Sequence, residues 1–193
     1  ASCTYDWESG LISIISTFYK AGKYIDGFLE AIANQTHKNW ELVIVDANSP
    51  ENEKDSIEKF SKKFPNQVKY IRTETQVPPS TGFNLATKAA KGEYLTIQLA
   101  DDRLAENHLE ILGKHLLLDP EVDVVYGDAY QTRKPNETFK RNSSNGRLYE
   151  HSIQEFSREN MIKCLPGPFP MWRREVHEKL DMWWDESLFN ACD

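Results

Sequence analysis

The strongest constraint on this chain is a series of short apolar runs, each closed by a turn or an acid and separated by stripes of helical period. Leu11-Ile-Ser-Ile-Ile-Ser-Thr17, Glu41-Leu-Val-Ile-Val-Asp46, Val68-Lys-Tyr-Ile71 and Tyr94-Leu-Thr-Ile-Gln-Leu-Ala100 are β-rich and too short for helices, so they read as buried strands. Between them, Tyr24 to Thr36 repeats apolar residues at Ile25, Phe28, Leu29 and Ile32, and Asn52 to Phe64 does so at Ile57, Phe60 and Phe64. A short helix is expected over Gly82 to Lys91 and another from Ala105 to Leu118, closed by Pro120, before a further strand at Val122-Asp-Val-Val-Tyr126. Strands alternating with helices imply an α/β fold with a mostly parallel sheet, right-handed crossovers and helices on both faces.

Acids close two of these strands. Asp46 ends one, and the pair Asp101-Asp102 follows another. The C-terminal ends of parallel strands form the edge where open α/β sheets bind ligands. Neighbouring side chains on extended backbone point to opposite faces, so Asp101 and Asp102 are suited to different tasks. One could hold a hard divalent cation that offsets a diphosphate while the other reaches a sugar hydroxyl. The plainer alternative is a solvated Asp-Asp turn.

Composition excludes several classes. A net charge of −7 over 193 residues does not suit a general nucleic-acid binder, which needs a basic stripe. No apolar stretch approaches the roughly 20 residues that span a bilayer. Cys3, Cys164 and Cys192 lack metal-ligand spacing and read as ordinary thiols of a reducing compartment; the five histidines form no zinc-type cluster. With Ala1 at its start, the chain reads as trimmed.

The texture divides into an extension at 1–10, an α/β half at 11–128 and a second half at 129–193. The second half opens with a polar stretch, 132–146, that reads as a flexible loop or lid. Ser152 to Cys164 looks helical, Leu165-Pro-Gly-Pro-Phe-Pro170 can be neither helix nor central strand, and Arg173 to Leu180 resumes a helix before an aromatic cluster at Met182 to Phe189.

The chain resembles the family-2 glycosyltransferases of the GT-A fold, which are inverting and nucleotide-sugar dependent. Ile14-Ile-Ser-Thr-Phe-Tyr19 is similar to that family's first strand and turn, and Ala33-Asn-Gln-Thr-His-Lys-Asn-Trp-Glu-Leu-Val-Ile-Val-Asp46 to its second. Lys91-Gly-Glu-Tyr94 and Ala100-Asp-Asp-Arg103 resemble the entry to its metal strand and its DxD-type motif. Trp172-Arg-Arg-Glu-Val-His-Glu-Lys179 and Trp184-Asp-Glu-Ser187 resemble its acceptor-side elements. The resemblance runs from about Leu11 to Asp193, carried by the order of the pieces.

It implies residue roles. Asp102 would bind Mn²⁺ or Mg²⁺ directly, and Asp101 would contact the ribose or the metal's waters. Thr17, Tyr19, Asp46 and Asn84 would hold the nucleotide, with Tyr19 stacking on the base. Trp172 and Arg173 would line the acceptor or diphosphate side, and Asp193 would be the catalytic base. The chain departs from the family pattern at Ala47, where a second acid is usual, and at Phe83, where an Arg is usual. The family's helix after the base is absent, so the resemblance implies a C-terminally truncated domain.

The resulting expectation is a metal-dependent inverting transferase moving a sugar from a nucleotide diphosphate donor, a UDP-sugar in preference, to a glycan or lipid-linked acceptor. Such bacterial enzymes build surface polysaccharide, in the cytoplasm or at the cytoplasmic face of the membrane. A non-catalytic nucleotide- or glycan-binding module of the same fold is the alternative, favoured by Ala47, Phe83 and the short C-terminus. A nucleotidyltransferase would need a Gly-rich phosphate loop after the first strand, which Phe18-Tyr-Lys-Ala-Gly22 does not supply.

Overall fold

The computed structural model describes residues 10–150, 154–163 and 166–187. The chain runs β1 (Ile12–Phe18), α1 (Ile25–Ala33), β2 (Trp40–Asp46), α2 (Glu53–Lys63), β3 (Val68–Arg72), α3 (Pro79–Ala89), β4 (Tyr94–Ile97), α4 (His108–Leu118), β5 (Val124–Val125), β6 (Met171–Arg173) and α5 (Glu175–Leu180). The sheet order is β3-β2-β1-β4-β6-β5. The first four of these neighbours are parallel, while β6 runs antiparallel to both β4 and β5.

Strand alternation splits the core into two layers. Ile12, Ile14, Leu42 and Ile44 face α1, α2 and α4, where Phe28, Ile32, Ile57, Leu109 and Leu116 meet them. Ile15, Val43, Val45 and Leu95 face α3, packing on Phe83 and Ala86 and, beyond them, on Trp172 and Trp184. Both faces of the sheet are therefore covered, which is why β1 and β2 are apolar almost throughout.

One close approach fixes how β4 enters the sheet. The Glu41 carboxylate accepts the Lys91 amide at 2.5 Å and the Ser13 hydroxyl at 2.5 Å, and Ser13 Oγ accepts the Gly92 amide at 2.8 Å. A Cβ on Gly92 would lie 2.6 Å from the Ser13 nitrogen and 2.7 Å from the Leu11 oxygen, both backbone atoms. Only glycine fits there.

Several expected boundaries move. The run expected as strand to Ala100 leaves the sheet after Ile97, turning toward the two acids. Arg173 belongs to a strand and not a helix; three residues, Met171 to Arg173, are too few to show a period. Within the stretch expected as helix from Ser152 to Cys164, only a 3-10 turn at Asn160–Lys163 forms among the described residues. The segment 132–146 has no helix. It carries an isolated bridge between Thr138 and Arg141, inside a wider bridge between Tyr130 and Leu148.

Candidate active site

Strand order reverses between β1 and β4, since β2 and β3 lie on one side of β1 and β4 on the other. That switch point opens a crevice at the C-terminal ends of the strands. Tyr19 follows β1 there, and Asp101-Asp102 follow β4. Tyr19 is 39% exposed, so its ring is available to a planar ligand; the Lys20 ammonium lies 5.3 Å from its centroid.

The acid pair sits in a tight turn closed by the Asp102 amide donating to the Leu99 oxygen at 3.2 Å. Asp101 is exposed and Asp102 half-buried. Neither carboxylate has a hydrogen-bond or ion-pair partner among the described residues. Burial, and then the charge of Asp101, push the Asp102 carboxyl up to about 6, with Arg103 pulling the other way.

Arg103 does not pair with either acid. Its guanidinium donates to the carbonyls of Ala100 at 2.8 Å, Asp102 at 2.6 Å and Tyr24 at 3.0 Å, and to the Asn136 side chain. Asn136 in turn donates to the Lys23 carbonyl at 2.8 Å. Arg103 is thus a staple between the acid turn, the entry to α1 and the 128–148 segment. Gly27 in α1 makes room for it, since a Cβ there would meet the guanidinium at 2.6 Å.

That segment forms the far wall of a cleft of about 100 Å³. Asp101, Asp102 and His108 line it together with Tyr130, Phe139 and Phe169. Burial pulls the His108 imidazole down to about 4, so it is neutral at physiological pH. No spacing in the sequence pointed to His108 or Phe169; the fold alone brings them to the acids.

The other expected site residues are placed as follows. Thr17 packs its hydroxyl against α3, where a Cβ on Gly82 would come within 2.1 Å of it. Asp46 is fully buried: it accepts the Ser49 amide at 2.7 Å, the Tyr70 hydroxyl at 2.5 Å and the Arg72 guanidinium. Burial and the bond to Asp46 push the Tyr70 hydroxyl up to about 12. The structure does not bring the Asp46 carboxylate to the crevice, because β3 supplies its partners.

Asn84 is likewise taken up. Its amide donates to the Trp184 carbonyl at 2.9 Å and to Glu186 at 2.7 Å, and it accepts the Trp184 amide at 3.0 Å. Bonds from Asn84 and Thr81 hold the Glu186 carboxyl below the ordinary range. Trp172 is buried and donates its indole N–H to His177 Nε2 at 2.9 Å. Arg173 pairs with Tyr94, at the start of β4 and the opposite end from the acids, and donates to the carbonyls of Val122, Leu116 and Asp119 around the end of α4. Neither Trp172 nor Arg173 lies with the acid pair. Asp193 lies outside the described residues.

The donor set suits a hard divalent cation held jointly with a ligand. Two unpartnered carboxylates offer oxygen atoms, and a cation would relieve the strained ionisation of Asp102. Among the described residues no group of three or more His, Cys, Asp or Glu side chains could hold a metal. The remaining positions would fall to water or to phosphate oxygens.

A model of the family described as glycosyl transferase family 2 matches residues 13–181. The chain belongs to this family. GlyG of Streptococcus pneumoniae is 34% identical over 122 residues, 63% of this chain and 40% of that protein. A glycosyltransferase of Nostoc, alr2836, is 33% identical over 172 residues, 88% of this chain and 52% of that one. The chain therefore spans about half the length, or less, of these relatives. Among solved structures, S. aureus TarS 1-349 in complex with UDP-GlcNAc superposes with a TM-score of 0.77 at 23% identity, covering 94% of this chain and 50% of that one. The mannosyltransferase PcManGT of Pyrobaculum calidifontis, solved with GDP-Man and Mn²⁺, gives 0.64 at 19% identity over 92% and 48%. The fold is GT-A.

Proposed function

We propose that this glycosyltransferase-family chain works as a metal-dependent inverting enzyme, moving a sugar from a UDP-sugar to a glycan or lipid-linked acceptor. The observation that carries the reading is the unpartnered Asp101-Asp102 pair at the switch point, with one carboxylate half-buried. Relatives support the donor class: WfgD of Escherichia coli, 28% identical over 118 residues, is named for transfer from UDP-Glc to a diphosphoundecaprenol-linked sugar. A putative teichuronic acid biosynthesis enzyme, TuaG of Bacillus subtilis, is 27% identical over 105 residues and supports a role in surface polysaccharide. Among the described residues no helix is long and apolar enough to cross a membrane. A nucleotide-sugar donor supports a cytoplasmic setting.

In this reading Asp102 holds Mn²⁺ or Mg²⁺, with Asp101 contacting the ribose or the ion's waters; the bound ion offsets the diphosphate's charge. Tyr19 stacks on the base, a contact worth about 1–3 kcal/mol in comparable sites. The acceptor hydroxyl oxygen bonds to the anomeric carbon from the face opposite the diphosphate. The bond from that carbon to the phosphate oxygen breaks, its electron pair leaving with the diphosphate, and Asp193 takes the hydroxyl proton.

A thermal-shift series with UDP, UDP-glucose, UDP-GlcNAc and GDP-mannose, each with and without Mn²⁺, tests this. Stabilisation by the uridine ligands is expected only with metal and is expected to vanish in Asp102→Ala. Stabilisation that needs no metal, or that survives the substitution, would show that Asp102 is not the metal ligand. A nucleotide- or glycan-binding module without turnover is the second reading, favoured by Ala47 and Phe83, which stand where the family usually has an acid and an Arg. Detecting UDP release from a UDP-sugar distinguishes the two.

A further inference from the structure

We infer that the cleft between the acid turn and the 128–142 wall is a subsite for a pyranose ring, built by the Tyr130–Phe139 pair and His108. The inference rests on the glycosyltransferase reading of the same edge and adds which residues meet the sugar. Tyr130 and Phe139 pack with centroids 5.2 Å apart, yet remain 38% and 49% exposed at the cleft wall. Their planes are inclined by 34°, so the pair forms an exposed, mutually braced apolar ledge with little conformational freedom left to lose. One face of a pyranose, lined by C–H bonds, matches such a surface, and its hydroxyls require neutral partners.

Those partners are present. His108 lines the same cleft, edge-on to Phe169 at 6.3 Å and 82°. Its Nε2 lies 3.4 Å from the Thr96 hydroxyl, whose own proton goes to the Pro170 carbonyl at 3.0 Å. Nδ1 has no partner among the described residues. Burial keeps the ring uncharged, so it suits a hydroxyl better than a phosphate. Thr132 adds a further neutral polar group, while the Asn142 amide is used by the backbone of Thr138, Phe139 and Ser144.

An anionic ligand fits this wall poorly. The Arg103 guanidinium is taken up by carbonyls and Asn136, and Lys134 faces the cleft together with Asp101, Asp102 and Asp128. A few oriented polar groups within an aromatic-lined cleft are the usual make-up of a small-ligand site. The ring could belong to the donor or to the acceptor, and two measurements separate these sources.

The first compares stabilisation by UDP and by UDP-glucose, with Mn²⁺, in the native chain, Tyr130→Ala, Phe139→Ala and His108→Gln. The second records saturation-transfer NMR from the protein to methyl β-glucoside and methyl N-acetyl-β-glucosaminide, with and without UDP and Mn²⁺. If the transferred sugar sits here, the variants keep the UDP response and lose the increment due to glucose, with about tenfold weaker apparent affinity for UDP-glucose. If the acceptor sits here, the glycoside signals fall while both nucleotide responses stay.

Variants that retain both sugar responses overturn the subsite. So does a native chain that shows neither, or a variant that loses the response to UDP itself. Saturation transfer to a glycoside without any response to UDP would sink the donor reading while leaving the subsite standing.

Discussion

Asp102 and His108 illustrate how two side chains in one cleft can hide each other's titration. Asp102 has a folded-state value of about 6, above its ordinary 3.8, so proton uptake favours the fold and stability from this group rises as pH falls from about 6 to 4. His108 has a folded-state value of about 4, below its ordinary 6.5, so proton uptake favours unfolding and stability from this group falls over nearly the same window. Each effect is about 3 kcal/mol at most and they oppose one another. Relative to the native chain in EDTA, Asp102→Asn is expected to lose stability as pH drops from 6.5 to 4, and His108→Gln to gain it. Denaturant titrations at several pH values read both slopes; parallel curves for the two variants would refute the pairing. Asp102→Asn should also be the more stable protein at pH 7.5, because no charge is then buried without a partner.

At the level of elements, the strands that carry the site were legible because each is apolar on both faces and ends on a polar turn. Phe18, Asp46 and Ile97 end the strands within a residue or a few of where pattern alone puts them. The Asp101-Asp102 pair was legible for the same reason. What pattern could not show was which polar groups at that edge are used internally. Asp46 looks like a ligand residue from its position, but Tyr70 and Arg72 on the neighbouring strand saturate it, a cross-strand relation that no local spacing encodes. Asn84 is bonded to Trp184, a hundred residues away. Strand β6 escaped because three residues have no period and because Arg173 and the residues after it look helical.

The Lys91-Gly92 turn, by contrast, acquires a mechanical reason: Glu41 and Ser13 hold its amides where no Cβ fits. Gly92→Ala is expected to cost about 2–3 kcal/mol and to lower the melting temperature by about 4–12 °C, measured by calorimetry. Asn84→Ala removes bonds to buried backbone and should cost about 1–3 kcal/mol, with faster amide exchange at Trp184 and little change in β2. Unchanged exchange at Trp184 would show that the aromatic packing of Trp184 on Phe83 alone holds that segment.

Across the whole molecule, Arg103 is the point where separate parts of the chain meet: the acid turn, the entry to α1 and the 128–148 wall. Arg103→Lys retains the charge but cannot reach several acceptors with one planar fork. It is expected to raise hydrogen exchange at Gln131, Arg147 and Tyr149, whose amides close the wall, while the amides of β1 and β2 keep their protection. Equal loosening everywhere would mean that Arg103 supports global stability and not the wall. The direction in which that guanidinium points has a further effect. With both of its terminal nitrogens committed to neutral oxygens, the guanidinium beside Asp101 and Asp102 has little left to offer an incoming phosphate, and the chain as a whole carries −7. A bare dianion would drift toward this edge against an opposing field, whereas one escorted by a divalent ion would not. The cleft thereby acts as a charge filter at the encounter stage, screening visitors by the counter-ion they carry before any of their shape is read.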